Sequence, residues 1–474
     1  MKQDRRNFLK TTTISGLGMI GAGIYGCGRG SGGPGHHSHR QSFNMHGYAA
    51  PKLNVVRIGI IGLGNRGSGT VRRLAGIEGV EIRALCDIRP DRVSSAAGSI
   101  ARLGHIPDSY SGGENEWKKM CERHDIDLVA IITPWDTHTP MSVFAMEHDK
   151  HAYVELPAAT TVEDCWKLVE TSERTRKHCI QESGNCHEGI RAVVLNMVRK
   201  GFFGKVVHAE GGYIHYLLES NFFNYDRHMD NVMWRIMENV DTHGNLYPQH
   251  GLVPLMQMLD INYGDRMDYV VSVSGSDFSM NAMARQLADE NDYWKPYAAK
   301  NYRGNMNVST IRTVKGRTIV LQHDISTPRP RGGMLLSGTR GIYKSHPNRF
   351  ALGHEGWMPD EKTRSLIEEY TPELSRIFGE KVKQSLNFDP TTHSYSRVSA
   401  FDWRMIDCLR NGLPVEMNVY EAVASSSVIP LSIRSVKNRS CSVDIPDFTS
   451  GTWKTNKRAM DVELQSGGGN TALL

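Results

Sequence analysis

Gly62, Gly64 and Gly67 stand in a G-x-G-x-x-G spacing directly after the apolar run Val55-Val56-Arg57-Ile58-Gly59-Ile60-Ile61. About twenty residues further on, Ala84-Leu85-Cys86 ends in Asp87. Residues of these types at this spacing hold a dinucleotide. A buried strand leads into a phosphate-binding turn at a helix N-terminus, and a second strand ends in an acid placed to hold a ribose. Gly62 permits the tight turn, Gly64 lets the backbone approach a pyrophosphate, and Gly67 lets the helix pack on the sheet. The helix then offers its free N–H groups and positive dipole end to the phosphates. Asp87 favours NAD over NADP, because a carboxylate repels a 2′-phosphate, and Arg89 weakens that preference.

The elements that must position this turn alternate as a doubly wound parallel sheet requires. Strands are expected at 55–61, 80–86, 127–132, 151–155 and 179–182, with helices at 67–76, 90–101, 139–148 and 161–176. Loops leaving the C-terminal strand ends line the nucleotide cleft. Trp135, His138, Glu155 and Leu156 therefore belong near the nicotinamide half. Beyond residue 190 the pattern changes to a helix at 189–200 and strands at 205–215, 269–274, 306–313, 317–324 and 333–337. This reads as an α+β domain with an open, mostly antiparallel sheet, one face under helices and the other toward the cleft. Helices at 400–411 and 419–436 are expected to pack back on the first domain. The class is α/β: a Rossmann dinucleotide-binding domain at 54–185 followed by a substrate domain at 186–460.

The ends carry other information. Asp4-Arg5-Arg6-Asn7-Phe8-Leu9-Lys10 and the mildly apolar stretch behind it form a twin-arginine leader over residues 1–27, too short and glycine-rich to span a membrane. Ile24-Tyr25-Gly26-Cys27 resembles a lipobox, which would make Cys27 a lipidated N-terminus; the alternative is an incidental cysteine in a plain leader. The expected partner is the Tat export machinery, and the expected location is the periplasm, free or lipid-anchored. That machinery moves folded proteins, so a nucleotide can be trapped before export and must then be regenerated at each turnover. Residues 28–53 read as a flexible tether and 461–474, with Gly467-Gly468-Gly469, as a frayed tail. The eight cysteines (Cys27, Cys86, Cys121, Cys165, Cys179, Cys186, Cys408 and Cys441) show no zinc spacing, and a disulfide stays open outside the cytoplasm. A net charge of +5, with no basic stripe, argues against a nucleic-acid partner, and no metal site is expected.

Taken with Thr133-Pro134 and Glu155-Leu156-Pro157, the turn resembles the Gfo/Idh/MocA oxidoreductases, with Leu156 where a lysine commonly assists hydride chemistry. Asn65-Arg66, Trp135-Asp136-Thr137-His138, Gly211-Gly212-Tyr213-Ile214-His215, Met233-Trp234-Arg235, Leu246-Tyr247-Pro248-Gln249-His250-Gly251 and Gln322-His323-Asp324 narrow this. The ordered set resembles glycoside hydrolase family 109, the NAD-dependent α-N-acetylgalactosaminidases, over roughly 54–450. The resemblance implies an unusual hydrolysis, outside the two-carboxylate scheme. NAD takes hydride from carbon 3 of the sugar, a base removes the acidified hydrogen on carbon 2, and the glycosidic oxygen is eliminated. Water then adds and the hydride returns. A shared-sheet dimer is common among such relatives.

Carried over residue by residue, the resemblance gives Asn65, Arg66, Asp87, Trp135, Asp136, Thr137, His138, Glu155, Leu156 and Asn185 to the cofactor. It gives Tyr213, Arg235, Tyr247, Pro248, Gln249 and His250 to the sugar, with His250 as an acid/base group because imidazole titrates near neutrality. Two departures concern the substrate. Asn185-Cys186-His187 stands in the stretch where the family has an asparagine followed shortly by a functional tyrosine, which makes His187 a candidate base beside His250 and Tyr247. Arg331 replaces a substrate-contacting tyrosine; it fits an acidic or sulfated sugar, or a solvated surface charge. Two other functions remain: a sugar or cyclitol dehydrogenase releasing NADH, against which Leu156 and the leader both count, and an inactive sugar-binding protein holding NAD.

Overall fold

The computed structural model describes residues 39–183, 187, 189–223, 234–385 and 398–474. The first sheet has six short strands: β1 (Val56–Ile61), β2 (Val80–Asp87), β3 (Asp108–Ser111), β4 (Leu128–Ile131), β5 (His151–Val154) and β6 (Cys179–Gln181). Their order is β3-β2-β1-β4-β5-β6, and every pairing is parallel. Apart from Arg57, every residue of β1 and β4 is buried, as strands covered on both faces require. Helices α1 (Asn65–Ala75), α2 (Pro90–Ile100), α3 (Glu116–Cys121), α4 (Trp135–Glu147) and α5 (Val162–Thr175) make the crossovers.

The chain continues through α6 (Gly189–Arg199), β7 (Val206–Ile214), α7 (Leu218–Phe223), α8 (Trp234–Met237), α9 (Gln249–Met258), β8 (Met267–Ser274), α10 (Met280–Glu290) and α11 (Lys295–Ala298). Then come β9 (Asn307–Thr313), β10 (Thr318–Asp324), β11 (Leu335–Gly338), β12 (Gly341–Lys344), β13 (Arg349–Leu352), α12 (Asp360–Glu369) and α13 (Glu373–Gln384). The last elements are α14 (Ala400–Asn411), α15 (Val419–Lys437) and β14 (Val443–Asp444). Eight strands form one sheet in the order β13-β12-β11-β7-β10-β9-β8-β14, antiparallel except where β7 meets β10. The domain is therefore α+β with a mixed, mostly antiparallel sheet. Helices α14 and α15 lie back on the first domain: Asp402 accepts from Tyr153 (2.8 Å) and Arg73 (2.6 Å), and Gln181 bonds to Ser425 and Ser426.

Four expectations need correction. Helices and cleft share one face of the large sheet, while Val273, Val308 and Ile342 on the other face are exposed. The reason is a close approach of α9 to β7: a Cβ on Gly251 would lie 2.3 Å from the Gly212 nitrogen. Helix α4 begins at Trp135, not near 139, because Pro134 is extended and stops the chain just before it. Of the expected tether, 40–53 is docked: Met45 is fully buried, Gln41 donates to the Tyr420 hydroxyl, and Ser42 donates to Glu173. Residues 28–38 lie outside the described residues, as do the leader and Cys27. The tail is not frayed either. Gly467, Gly468 and Gly469 take left-handed φ values and curl the chain so that Gly469 and Thr471 N–H groups reach Asp407. Leu473 then pairs with Ile77. Cys86, Cys121, Cys165, Cys179 and Cys408 are buried free thiols, and Cys186 lies outside the described residues.

Candidate active site

The three glycines of the first turn divide the work as their spacing predicts. Gly62 sits at φ +85°, and a Cβ there would meet the Ile132 carbonyl oxygen at 2.5 Å. A Cβ on Gly67 would lie 1.8 Å from the Gly62 oxygen, so only glycine lets α1 start this close to the turn. At Gly64 the position is open apart from the Arg92 guanidinium. Gly64 is also the N-cap of α1 and provides no side-chain cap, so the first N–H groups of the helix face the cleft. Asp87 closes β2 with one oxygen on the Leu63 N–H (2.6 Å) and the other on the Arg89 N–H (3.0 Å). These contacts aim the carboxylate across the turn. Arg89 itself is engaged by Asp91 (3.0 Å). An open glycine, an uncapped helix and a fixed acid fit a dinucleotide.

A single cleft of about 1740 Å³ runs from this turn to the large sheet. Gly62, Gly64, Asn65, Arg66, Asp87, Trp135, Asp136, Thr137, His138, Glu155 and Leu156 line it, and so do Tyr213, Arg235, Tyr247, His250 and Arg331. Gly67 packs behind the turn. Arg66 reaches from α1 to Glu155 (2.7 Å), and Glu182 lies 3.9 Å from the same guanidinium. Burial, then the charges of Glu155 and Asp402, push the Glu182 carboxyl up to about 7, whereas Arg66 outweighs burial at Glu155 and holds it down. His138 spends both ring nitrogens on the carbonyls of Pro157 (2.7 Å) and Thr133 (2.8 Å), so its side chain shapes the wall. Leu156 is buried beside Trp135 and Tyr247 and places no ionisable group at this end.

The far end is aromatic. Trp135, at the start of α4, meets Trp234 (5.6 Å) and Tyr247 (5.0 Å) edge-on and so joins the two domains. Tyr213 on β7 stacks on His250 at 4.3 Å and 16°, a consequence of the Gly212–Gly251 approach. Arg235 lies over the Trp234 ring and hydrogen-bonds the Tyr247 hydroxyl. Burial pushes His250 down to about 4, opposed by Glu155 and helped by Arg66, Arg191 and Arg331. Its imidazole is therefore neutral at pH 7 and able to accept a proton.

Three site expectations fail on geometry. His187 does not reach the cleft: it is buried against Phe401 with Nε2 2.5 Å from Glu416, whose other oxygen holds Arg404 (2.9 Å). Pro248 caps α9 and Gln249 points into the interior, so neither side chain lines the cleft. Asn185 lies outside the described residues. The sequence reading also passed over Glu182, Arg191, His215 and Trp234, all cleft residues. Two of these carried a signal. Glu182 follows β6 directly, at the strand end that faces the cleft in a parallel sheet, and His215 is two residues from Tyr213 on one strand face.

Comparison with known proteins divides the chain at the same place. Residues 56–183 match the oxidoreductase family described as an NAD-binding Rossmann fold, and residues 190–455 match the C-terminal domain of glycosyl hydrolase 109. The chain is 42% identical to an alpha-N-acetylgalactosaminidase of Bacteroides fragilis, over 86% of this chain and 95% of the relative. It is 39% identical to a glycosyl hydrolase family 109 protein of Shewanella woodyi, over 87% and 89%. Among solved structures, the WlbA dehydrogenase of Bordetella pertussis, in complex with NADH and UDP-GlcNAcA, shares the fold with a TM-score of 0.58 at 16% identity, over 84% of this chain and all of that one. The chain belongs to glycosyl hydrolase family 109: it is a glycoside hydrolase whose N-terminal Rossmann domain binds NAD.

Proposed function

We propose that this enzyme is an exported α-N-acetylgalactosaminidase that cleaves its substrate by transient oxidation at carbon 3. The observation that carries the reading is the continuity of one cleft from the dinucleotide turn to the Tyr213–His250 stack. Asn65, Arg66, Asp87, the first turn of α4, and Glu155-Leu156 would hold NAD, with Asn185 assigned from the sequence alone. Bound NAD supplies a reversible hydride acceptor for carbon 3 of the sugar.

The chain's own residues handle protons. Next to a carbon-3 ketone the carbon-2 hydrogen is acidic, and the neutral His250 imidazole takes it. Tyr247 accepts a hydrogen bond from Arg235 and would give its hydroxyl proton to the departing glycosidic oxygen. Tyr213 backs His250 and fixes its ring. Water would add at carbon 1 with its second proton restoring the Tyr247 hydroxyl, and His250, its proton exchanged with solvent, would protonate carbon 2, with carbon 3 re-reduced by the hydride that the cofactor would supply. The net change is one glycosidic bond hydrolysed, with no consumed reductant. That closed cycle suits export behind the twin-arginine leader of residues 1–27, to the periplasm or to a lipid anchor at Cys27. It also distinguishes this function from that of a dehydrogenase.

The test uses the purified mature protein, without added NAD, on p-nitrophenyl α- and β-glycosides including N-acetylgalactosaminide. Nitrophenol release with deuterium entering carbon 2 in heavy water is the expected result. Release without that exchange refutes the elimination route. No release, with NADH formed from free sugars, makes the protein a dehydrogenase.

A further inference from the structure

Arg331 lines the sugar end of the cleft and points Nη2 at the His215 ring, 3.3 Å from Nδ1 and 3.2 Å from Nε2. Among the described residues no carboxylate sits on its guanidinium. Its segment, between β10 and β11, is pinned at both ends. Asp324 accepts the N–H groups of Ser326 (2.9 Å) and Thr327 (3.2 Å); on the other side Gly332 donates to the Ile214 carbonyl (3.4 Å) and Met334 to Ser345 Oγ (2.6 Å). The backbone on both sides of Arg331 is thus fixed, while its guanidinium stays exposed at the cleft and within reach of a bound sugar. Arg191, from the first turn of α6, lines the same cleft, and both cations act on the His250 ring. Of the acids lining the cleft, Glu155 and Glu182 face Arg66 and Asp87 is held by the turn, while Glu238 and Asp136 are like-charged neighbours of each other.

A neutral sugar needs hydrogen bonds and gains little from a cation fixed without a counter-charge. A guanidinium matches a sulfate ester or carboxylate with two parallel N–H···O bonds. We propose that the sugar bound here carries an anionic substituent, a sulfate ester or a carboxylate, seated on Arg331 with His215 behind it. The proposal rests on the reading of the site as a glycosidase site and names its substrate class.

The test compares four p-nitrophenyl glycosides of one anomer: neutral N-acetylgalactosaminide, its 4-sulfate, its 6-sulfate, and the matching uronic acid. One anionic member is expected to show kcat/KM at least about tenfold above the neutral one, mostly through KM, and to lose the advantage in 0.5 M salt. Which member leads separates sulfate from carboxylate. In Arg331→Gln the anionic-to-neutral ratio falls to about one, and in Arg331→Lys part of it returns. A neutral substrate cleaved as well as every anionic one overturns the proposal, as does a preference that survives Arg331→Gln. If no glycoside is cleaved, the glycosidase reading fails separately. Calorimetry with free N-acetylgalactosamine and its sulfates then decides this one: tighter sulfate binding lost in Arg331→Gln supports it, and equal binding overturns it.

Discussion

Glu416→Gln tests whether His187 belongs to the interior. Glu416 is fully buried, with one oxygen 2.5 Å from His187 and the other accepting from Arg404 (2.9 Å) and from the Asp461 N–H (3.2 Å). Burial alone would raise its carboxyl, but the bonds and charges of His187 and Arg404 prevail and bring it from 4.5 down to about 2. A depressed folded-state pKa contributes stability that is present above the unfolded value and lost as pH falls through the folded one. The difference is worth about 3 kcal/mol at pH 7 and roughly half that at pH 3. Removing one partner of a buried pair costs about 3–5 kcal/mol, which agrees. Urea midpoints of wild type and Glu416→Gln at pH 7, 5 and 3 provide the assay. The expected outcome is a variant less stable by about 3 kcal/mol at pH 7, with the gap narrowing toward pH 3. A variant as stable as wild type at pH 7, or a gap that does not change with pH, refutes the buried pair and returns His187 to the list of candidate bases.

Gly67→Ala puts a methyl 1.8 Å from the Gly62 oxygen, so the protein should purify with at least tenfold less bound NAD by chromatography. Gly98→Ala, with nothing within 4 Å, should keep its full NAD content; equal loss in both would disprove the turn argument. His250, brought down to about 4, is proton-accepting above that pH, so kcat should hold steady from pH 7 to about 5 and fall only as pH drops through about 4. An acid limb at 6.5 would contradict that, and His250→Ala should lower kcat by about 10²–10⁴. Deleting residues 461–474 removes the backbone donors to Asp407 and Glu416, and Tm should fall by roughly 5 °C or more. An unchanged Tm means the tail contributes nothing.

Five strands of the parallel sheet were legible because they are continuous apolar runs ending in glycine, acid or proline, a pattern set by burial on both faces; β3, a polar edge strand with no buried residue, was not. The far sheet was read less completely. Strands β12, β13 and β14 are four residues or fewer, and their single buried faces leave too short an alternation to recognise. The helix that begins at Trp135 was started late because Trp135-Asp136-Thr137 has no helical apolar period; an extended proline, not the pattern, sets its start. Glycine misled at the tail, since a run of three reads as flexible and here serves as a turn with three positive φ values.

Local chemistry determines the dinucleotide half in the sequence itself, because every role there (turn, close approach, helix start, ribose acid) belongs to one residue within a short stretch. Tertiary structure alone decided the sugar half. Tyr213 and His250 lie on separate elements and meet only because two glycines let α9 rest on β7. His187 and Arg331 look alike in the sequence as polar residues at substrate positions, and only packing separates them. One is drawn to a buried carboxylate 229 residues away, and the other is held over the cleft by the two anchored ends of its segment. Which side of the backbone a charge faces is settled by partners distant in the chain, and no local pattern encodes them.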